Sequence, residues 1–390
     1  MNIGQTDHFE KQARSKRWSL VFAVSFGLCL LALFFALFMV FRLFPFHGTR
    51  ITHGSSTYKP LRYIPRDKPP SNVYPALVLS LITVSGVMVI SSSRVYQMKQ
   101  GGGTYVPSVL KAIPLGDDGF LETPEGKRQE KIFRNVVSEL SVVTGLAEPD
   151  LYVLPNEDSI NAMAAGIDTD DSSIIITKGA LKYLNRSELM ALMAHEFSHL
   201  ANSDTRHFTL MAGWLHGLLC LNTAAFRFTM QAPQIWIICL GLLVSALGFF
   251  GSVLARIIQA AFSRARERLA DQSATQFTRD PLALASVLKK IGGQGALKFT
   301  SVLRHPDFRH LYAAKPPSRL DEYKFPSWVQ VIFSSHPPIE DRIWELDPDW
   351  DGWYWDYEKN PVDYLAHPFQ PTEPPLPQTA KTRSVLIPMP

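Results

Sequence analysis

Two histidines four residues apart, with a glutamate after the first, stand at His195-Glu196-Phe197-Ser198-His199 within NRSELMALMAHEFSHLANSD. On an α-helix, positions i and i+4 share one face. His195 and His199 would then offer two imidazole nitrogens to one Zn2+ ion. Glu196 beside them would accept a proton from metal-activated water. The spacing alone also occurs on helices whose histidines are merely solvated. A catalytic zinc keeps three protein ligands and one open position, so a third ligand is needed. The stretch SRARERLADQSA offers Glu267 and Asp271, again at i and i+4. Glu267 is the candidate third ligand, and Asp271 the candidate carboxylate that orients a ligand histidine from behind. The alternative for this stretch is surface ion pairing with Arg264, Arg266 and Arg268. Next to HEFSH, and following an apolar run, the ligand reading is preferred.

This chemistry requires a helix, and the local sequence supplies its signals. Asn185 followed three residues later by Glu188 predicts a capping box. Leu189, Leu192, Met193, Phe197 and Leu200 recur at steps of three and four, as on an amphipathic helix. Segments Asp150–Leu154, 160–165 and 173–177 read as a small sheet packed on that helix. Around this domain the composition is uneven. Of 390 residues 46% are hydrophobic and 19% charged, against about 25% charge in a soluble domain. The mean hydropathy of +0.01 conceals four uncharged runs, 19–41, 74–93, 208–226 and 235–255. At about 1.5 Å per residue each can cross roughly 30 Å of hydrocarbon. The first run ends in FRLFPF with no small-residue cleavage site, so it reads as an uncleaved span. The third and fourth have a second reading, a buried hairpin in a soluble core. Lysines and arginines favour the side of the membrane that holds the N-terminus. The predicted order is a basic segment 1–18, span 19–41, extracytoplasmic loop 42–73 and span 74–93. The first part of the domain, 94–207, and its second part, 256–343, flank a hairpin of spans at 208–255. An acidic, Trp-rich and then Pro-rich extension, 344–390, completes it. Gly101–Gly103 reads as a flexible joint.

Four segments, taken in order, carry a resemblance: INAMAAG at 160–166, MAHEFSHLANSD at 193–204, SRARERLAD at 263–271 and SSHPPIEDRI at 334–343. With two spans before them and a hairpin between the second and third, the chain resembles the HtpX and CAAX prenyl-protease family of membrane-embedded zinc metalloproteases. The HtpX-like branch is nearer because of its four spans. The resemblance covers roughly 19–343. It implies an α+β, mainly helical fold, with about four transmembrane helices and a zincin-type (gluzincin) HExxH domain bearing a small edge sheet. It implies one Zn2+ per chain on His195, His199 and Glu267, with Glu196 as catalytic base. It further implies that Asn161-Ala162 belongs to an edge strand able to pair with an extended peptide, Asn161 holding a substrate carbonyl or amide. Turn chemistry after Pro155-Asn156-Glu157-Asp158 is the alternative there. His336, before Pro337-Pro338, would donate to the oxyanion of the tetrahedral intermediate, or else cap a helix. The implied substrates are membrane or misfolded proteins. The implied location is a bacterial inner membrane, with the catalytic domain cytoplasmic.

The chain also departs from the family pattern. Segments 42–73 and 301–333 and everything beyond 343 are longer than expected. The stretch 344–373 is acidic and carries Trp344, Trp350, Trp353 and Trp355. It reads as a cap on the domain, or else as a partner or gating surface. Cys29, Cys220 and Cys239 all lie in apolar runs, which predicts small buried hydrophobes rather than a disulfide framework. His207 and His216 read as buried polar residues, and His305 and His310 as solvated ones. A net charge of +4 gives no case for nucleic acid, and no oligomeric state follows. Three rival functions remain: processing of prenylated tails, a catalytically silent adaptor or chaperone, and an intramembrane protease with the motif inside a span. The polar residues Asn185, Arg186, Glu188, Asn202, Asp204 and Arg206 favour a site at the membrane surface over the last of these.

Overall fold

The computed structural model describes residues 24–43, 73–115, 123–232, 234–293, 329 and 332–354. The basic segment 1–18, the start of the first apolar run, most of the first loop, His305, His310, Trp355 and the Pro-rich tail lie outside the described residues.

Four helices are long and apolar enough to cross a membrane. They are α1 (Val24–Leu43), α2 (Val73–Gly101), α7 (Asp204–Gln231) and α8 (Ile235–Thr278). Their outer faces carry Leu28, Phe35, Ile82, Val89, Phe228 and Phe250, all more than half exposed. Apolar exposure on that scale calls for lipid or a partner rather than water. The buried-hairpin reading of the third and fourth runs does not hold, since 39% and 28% of their apolar windows are buried. The cysteines follow the same logic. Cys239 is exposed and Cys29 and Cys220 half-buried, because these runs turn outward instead of into a protein core.

Within the bundle, small residues let backbones meet. A Cβ on Gly217 would fall on Ser91 Oγ and the Val87 carbonyl of α2, and one on Gly213 would meet Val95 and the Ser91 carbonyl. This is the small-xxx-small packing of membrane helices. Between α7 and α8, Ser245 Oγ donates to Asn222 Oδ1 at 2.7 Å. At 44 residues and 1.5 Å per residue, α8 is about 66 Å long, roughly twice the hydrocarbon thickness. Its first half is the apolar run, and its second half carries Glu267 and Asp271. The expected divisions at 93/94, 207/208 and 255/256 all fall inside helices, so spans and domain share continuous rods.

The domain part follows chain order. A 3-10 turn (Gly102–Thr104) and α3 (Tyr105–Leu110) lead to strand β1 (Ile113–Pro114). Then come α4 (Pro124–Thr144), β2 (Asp150–Leu154), β3 (Ala162–Asp168), β4 (Asp171–Thr177) and α5 (Lys178–Tyr183). Next is α6 (Arg186–Ala201), then α7 and α8, and finally α9 (Pro281–Gly293) and α10 (Ile339–Leu346). The sheet order is β1-β2-β4-β3, with β2 and β4 parallel and the other pairs antiparallel. β1 was not foreseen in the sequence, being only two residues long. β3 starts at Ala162 rather than 160, because the Asn161 N–H donates to the Thr177 side chain (3.0 Å) instead of to a strand.

Helix α6 starts as its sequence dictates. Glu188 N–H donates to Asn185 Oδ1, and Asn185 N–H donates to Glu188 Oε2. The same carboxylate takes Ser286 Oγ and Lys290 Nζ from α9, each at 2.6 Å, which locks α9 onto the start of α6. The helix is not amphipathic in the ordinary sense. Its apolar residues join one core with α4, α5, α9 and the inner face of the sheet, and its polar side is buried too, in the site described below.

Gly101–Gly103 is no loose joint. Gly102 and Gly103 are buried, Gly103 N–H donates to Asp171 Oδ1 at 3.0 Å, and Ser173 Oγ donates to the Gly103 carbonyl at 2.7 Å. Gly102 has φ +51, and a Cβ there would strike Asp171. The lack of side chains is used for close approach to the β3–β4 turn, not for motion. The described part of the acidic extension is a cap. Trp350 packs with Leu288 and Ile343, Tyr354 Oη donates to Glu340 Oε1, and Lys289 Nζ pairs with Asp347 Oδ2.

Candidate metal centre

One helical turn on α6 sets His195 and His199 side by side, their Nε2 atoms 3.3 Å apart. The distal half of α8 brings in Glu267. Its Oε2 lies 3.6 Å from His195 Nε2, and its Oε1 lies 3.7 Å from His199 Nε2. All three residues are buried, and together they form the one group of potential metal ligands among the described residues. Four-coordinate zinc with bonds of about 2.0–2.1 Å places neighbouring ligand atoms roughly 3.3 Å apart. The three donors therefore fit such an ion: two neutral imidazoles and one carboxylate, at tetrahedral spacing. Burial pushes the Glu267 carboxyl up, but His336 Nδ1 at 3.1 Å and Arg342 Nη1 at 3.3 Å from Oε2, with His195, outweigh this and lower it to about 2, so it stands ionised as a metal ligand must.

Both histidines are held from behind. His195 Nδ1 is 2.9 Å from Asp271 Oδ1, and His199 Nδ1 is 2.9 Å from Asp204 Oδ2. Each contact assigns Nδ1 to a carboxylate and leaves Nε2 as the ligand atom. Burial pulls the His199 pKa down. Its hydrogen bond and charge pairing with Asp204, together with Glu267 and Glu196, outweigh this and raise it to about 9.

Glu196 lies on the same turn of α6, fully buried, and neither carboxylate oxygen has a hydrogen bond of good geometry. Burial pushes its pKa above the usual carboxylate range. His195 and His199 oppose this, Glu267 adds to it, and the Ala164 backbone of β3 opposes it weakly. The edge strand therefore runs beside the glutamate.

The remaining residues read from the sequence fall as follows. Asn161 and Ala162 open the edge strand β3. Asn161 Oδ1 accepts the Ala162 N–H (3.0 Å), its carbonyl accepts Thr177 N–H, and Ala162 pairs with Ile176. His336 does not cap α10, whose first turn follows Pro338. It is buried with Nδ1 3.1 Å from Glu267 Oε2. Of the three arginines that the alternative reading placed on the α8 surface, only Arg268 is there, beside Glu345. Arg264 donates to the carbonyls of Ile332 and Ser334, and Arg266 pairs with Asp204 in the interior. His207 Nδ1–H donates to the Ser203 carbonyl.

Sequence reasoning assigned no role to Asp204, Arg266 or Arg342. Asp204 had a local signal. It opens α7 five residues after His199, past a tight turn at Ser203 with φ +55. Arg342 had no local signal, its partner Asp271 being 71 residues away, though it falls in the segment SSHPPIEDRI that carries the resemblance.

Residues 127–349 match the family model described as Peptidase family M48. A protein named Protease HtpX homolog from Dictyoglomus turgidum is 35% identical over 216 residues, 54% of this chain and 67% of that one. Its namesake from Caldanaerobacter subterraneus is 34% identical over 231 residues, 55% of this chain and 71% of that one. The namesake from Bacteroides fragilis is 30% identical over 231 residues, covering 56% and 69%. The crystal structure of S. mikatae Ste24p superposes with a TM-score of 0.35 at 16% identity, covering 87% of this chain and 66% of that one.

Proposed function

Because this chain belongs to peptidase family M48, we propose that it is a membrane-bound, zinc-dependent endopeptidase of the HtpX-like kind, with Glu196 as general base. The observation that carries this reading is the buried triangle of His195, His199 and Glu267 nitrogen and oxygen atoms at 3.3–3.7 Å, with the buried Glu196 carboxylate one residue from His195. His195, His199 and Glu267 would hold the ion, while Asp271 and Asp204 fix the two imidazoles. Bound zinc supplies a Lewis acid for the scissile carbonyl and lowers the pKa of the attacking water toward about 7. Glu196 takes the proton from that water and hands it to the departing amine. His336 is the candidate donor to the developing oxyanion; with its Nδ1–H directed at Glu267, it would donate from Nε2 only as the doubly protonated ring. β3 ends the sheet, but Asn161 and the strand from Ala162 to Ala165 are buried, so pairing of its outer edge with an extended substrate backbone would require that edge to be uncovered.

Membrane and misfolded proteins are the substrates this placement suits. Asp204 and Glu267 lie on the two helices that carry the third and fourth apolar runs, so the site stands at the membrane end of the domain. The Lys and Arg bias, together with the bacterial sources of the similar proteins, supports an inner membrane with the catalytic part cytoplasmic. A reporter fused after Pro390 is expected to read cytoplasmic. An exported reporter would overturn that orientation.

The test of the metal reading is stripping and refilling the solubilised chain. Chelation should stop cleavage of an unfolded protein, and zinc should restore it at one ion per chain. With His199 at about 9 before uptake, ligation must displace a proton below that pH. Calorimetric heats at pH 7 should therefore depend on the buffer's ionisation enthalpy, and much less so above pH 9. Cleavage that persists in fully stripped protein would remove zinc from the mechanism.

A further inference from the structure

All three candidate ligands are braced, and the braces end on two buried arginines. Arg342 Nε and Nη2 donate to Asp271 Oδ2 and Oδ1, both at 2.7 Å. Asp271 in turn holds His195 at 2.9 Å. The third nitrogen of the same guanidinium, Nη1, lies 3.3 Å from Glu267 Oε2. One side chain thus touches one ligand and reaches a second through a single carboxylate. On the far side Arg266 pairs with Asp204, which holds His199. Both arginines are buried.

Charge gives a reason for this arrangement. Glu196, Asp204, Glu267 and Asp271 place four carboxylates in one buried site. Unpaired charge in the interior is costly. Two guanidiniums offset two of the carboxylates, and one divalent ion would offset the other two. The planar fork of arginine also matches a carboxylate edge in a way an ammonium cannot.

We propose that Arg342 is a positioning residue of the metal centre, presetting Glu267 directly and His195 through Asp271 at ligand spacing, as Arg266 does for His199 through Asp204. This rests on the ligand assignment made above. Arg342 enters from α10, which the Trp350 cluster and the Lys289–Asp347 ion pair fasten to α9. The C-terminal cap is therefore part of what assembles the site.

The test is the zinc dissociation constant of the full-length, solubilised chain, read by competition with a fluorescent chelator. Arg342→Met keeps the length but loses charge and fork, and Arg342→Lys keeps the charge alone. Both should bind zinc about 10–100-fold more weakly. Combined with Asp271→Asn, Arg342→Met should add much less than its effect alone, since the two act in series. Zinc affinity within about twofold of the parent in Arg342→Lys, whether or not Arg342→Met folds, would overturn the proposal. So would a lowered melting temperature with unchanged affinity, the mark of a packing role. A parent chain that binds no zinc would overturn the ligand assignment and this proposal together, whereas a zinc-binding parent with an equally tight Arg342→Lys overturns this proposal alone.

Discussion

Glu196→Gln is expected to leave metal content and fold intact while cutting peptide cleavage by about 10²–10⁴-fold, the usual worth of a positioned general base. Gln keeps the size and much of the polarity of Glu but accepts no proton. Glu196 is fully buried on α6, between the two histidines it would serve. It touches neither Asp271 nor Arg342 in any hydrogen bond, so its replacement should not disturb the braces behind the ligands. Its raised pKa, caused first by burial, fits a base meant to give its proton up again. A carboxylate with an ordinary pKa near 4.3 holds a proton poorly at neutral pH. Bound zinc would pull the value part of the way back. Metal analysis and a cleavage assay on the same preparation decide the matter. Retained cleavage with full zinc would strip Glu196 of its role.

The second large effect concerns the ion itself. His195→Ala combined with Glu267→Ala removes one ligand from α6 and one from α8, leaving His199 alone. A single imidazole cannot hold zinc in a structural or catalytic site, so bound zinc should fall from one per chain to none. The double change also leaves His336 and Arg342 facing an emptied position, and some stability will be lost with it. The core formed by α4, α6, α9 and the sheet does not depend on these side chains, so helical content should survive and serve as the control. Glu267→Gln alone is the milder companion, keeping volume while weakening the third ligand. Unchanged zinc in the folded double variant would sink the assignment.

Much of this was legible because it is local. The His195–His199 spacing needs only that 186–201 be helical, and the Asn185–Glu188 capping box declares where that helix starts. The spans were legible from their lack of charge, since a bilayer selects composition rather than a particular partner. Glu267 was harder to place, because its own sequence surroundings, three arginines, read equally as an exposed helix. What separates Arg266 from Arg268 is a little over half a turn, and a short segment does not reveal which side of α8 faces the domain. The strand bounds slipped for a similar reason. Asn161 gives its carbonyl to the Thr177 N–H of β4, but its own amide goes to that threonine's side chain, so the strand begins one residue later.

The sequence by itself thus determined the helix carrying His195, Glu196 and His199, the four apolar runs and the peptidase reading they frame. These depend on spacing and composition, which act over a few residues. Only the tertiary structure decided that the fourth run and the Glu267 segment are one unbroken helix. It also decided that Gly101–Gly103 is locked by Asp171, and that Asp204, Arg266, His336 and Arg342 close around the ligands. Those outcomes depend on which buried charges find partners when distant helices pack. A charge-pairing problem of that kind is solved by the whole fold, and no segment states its answer alone.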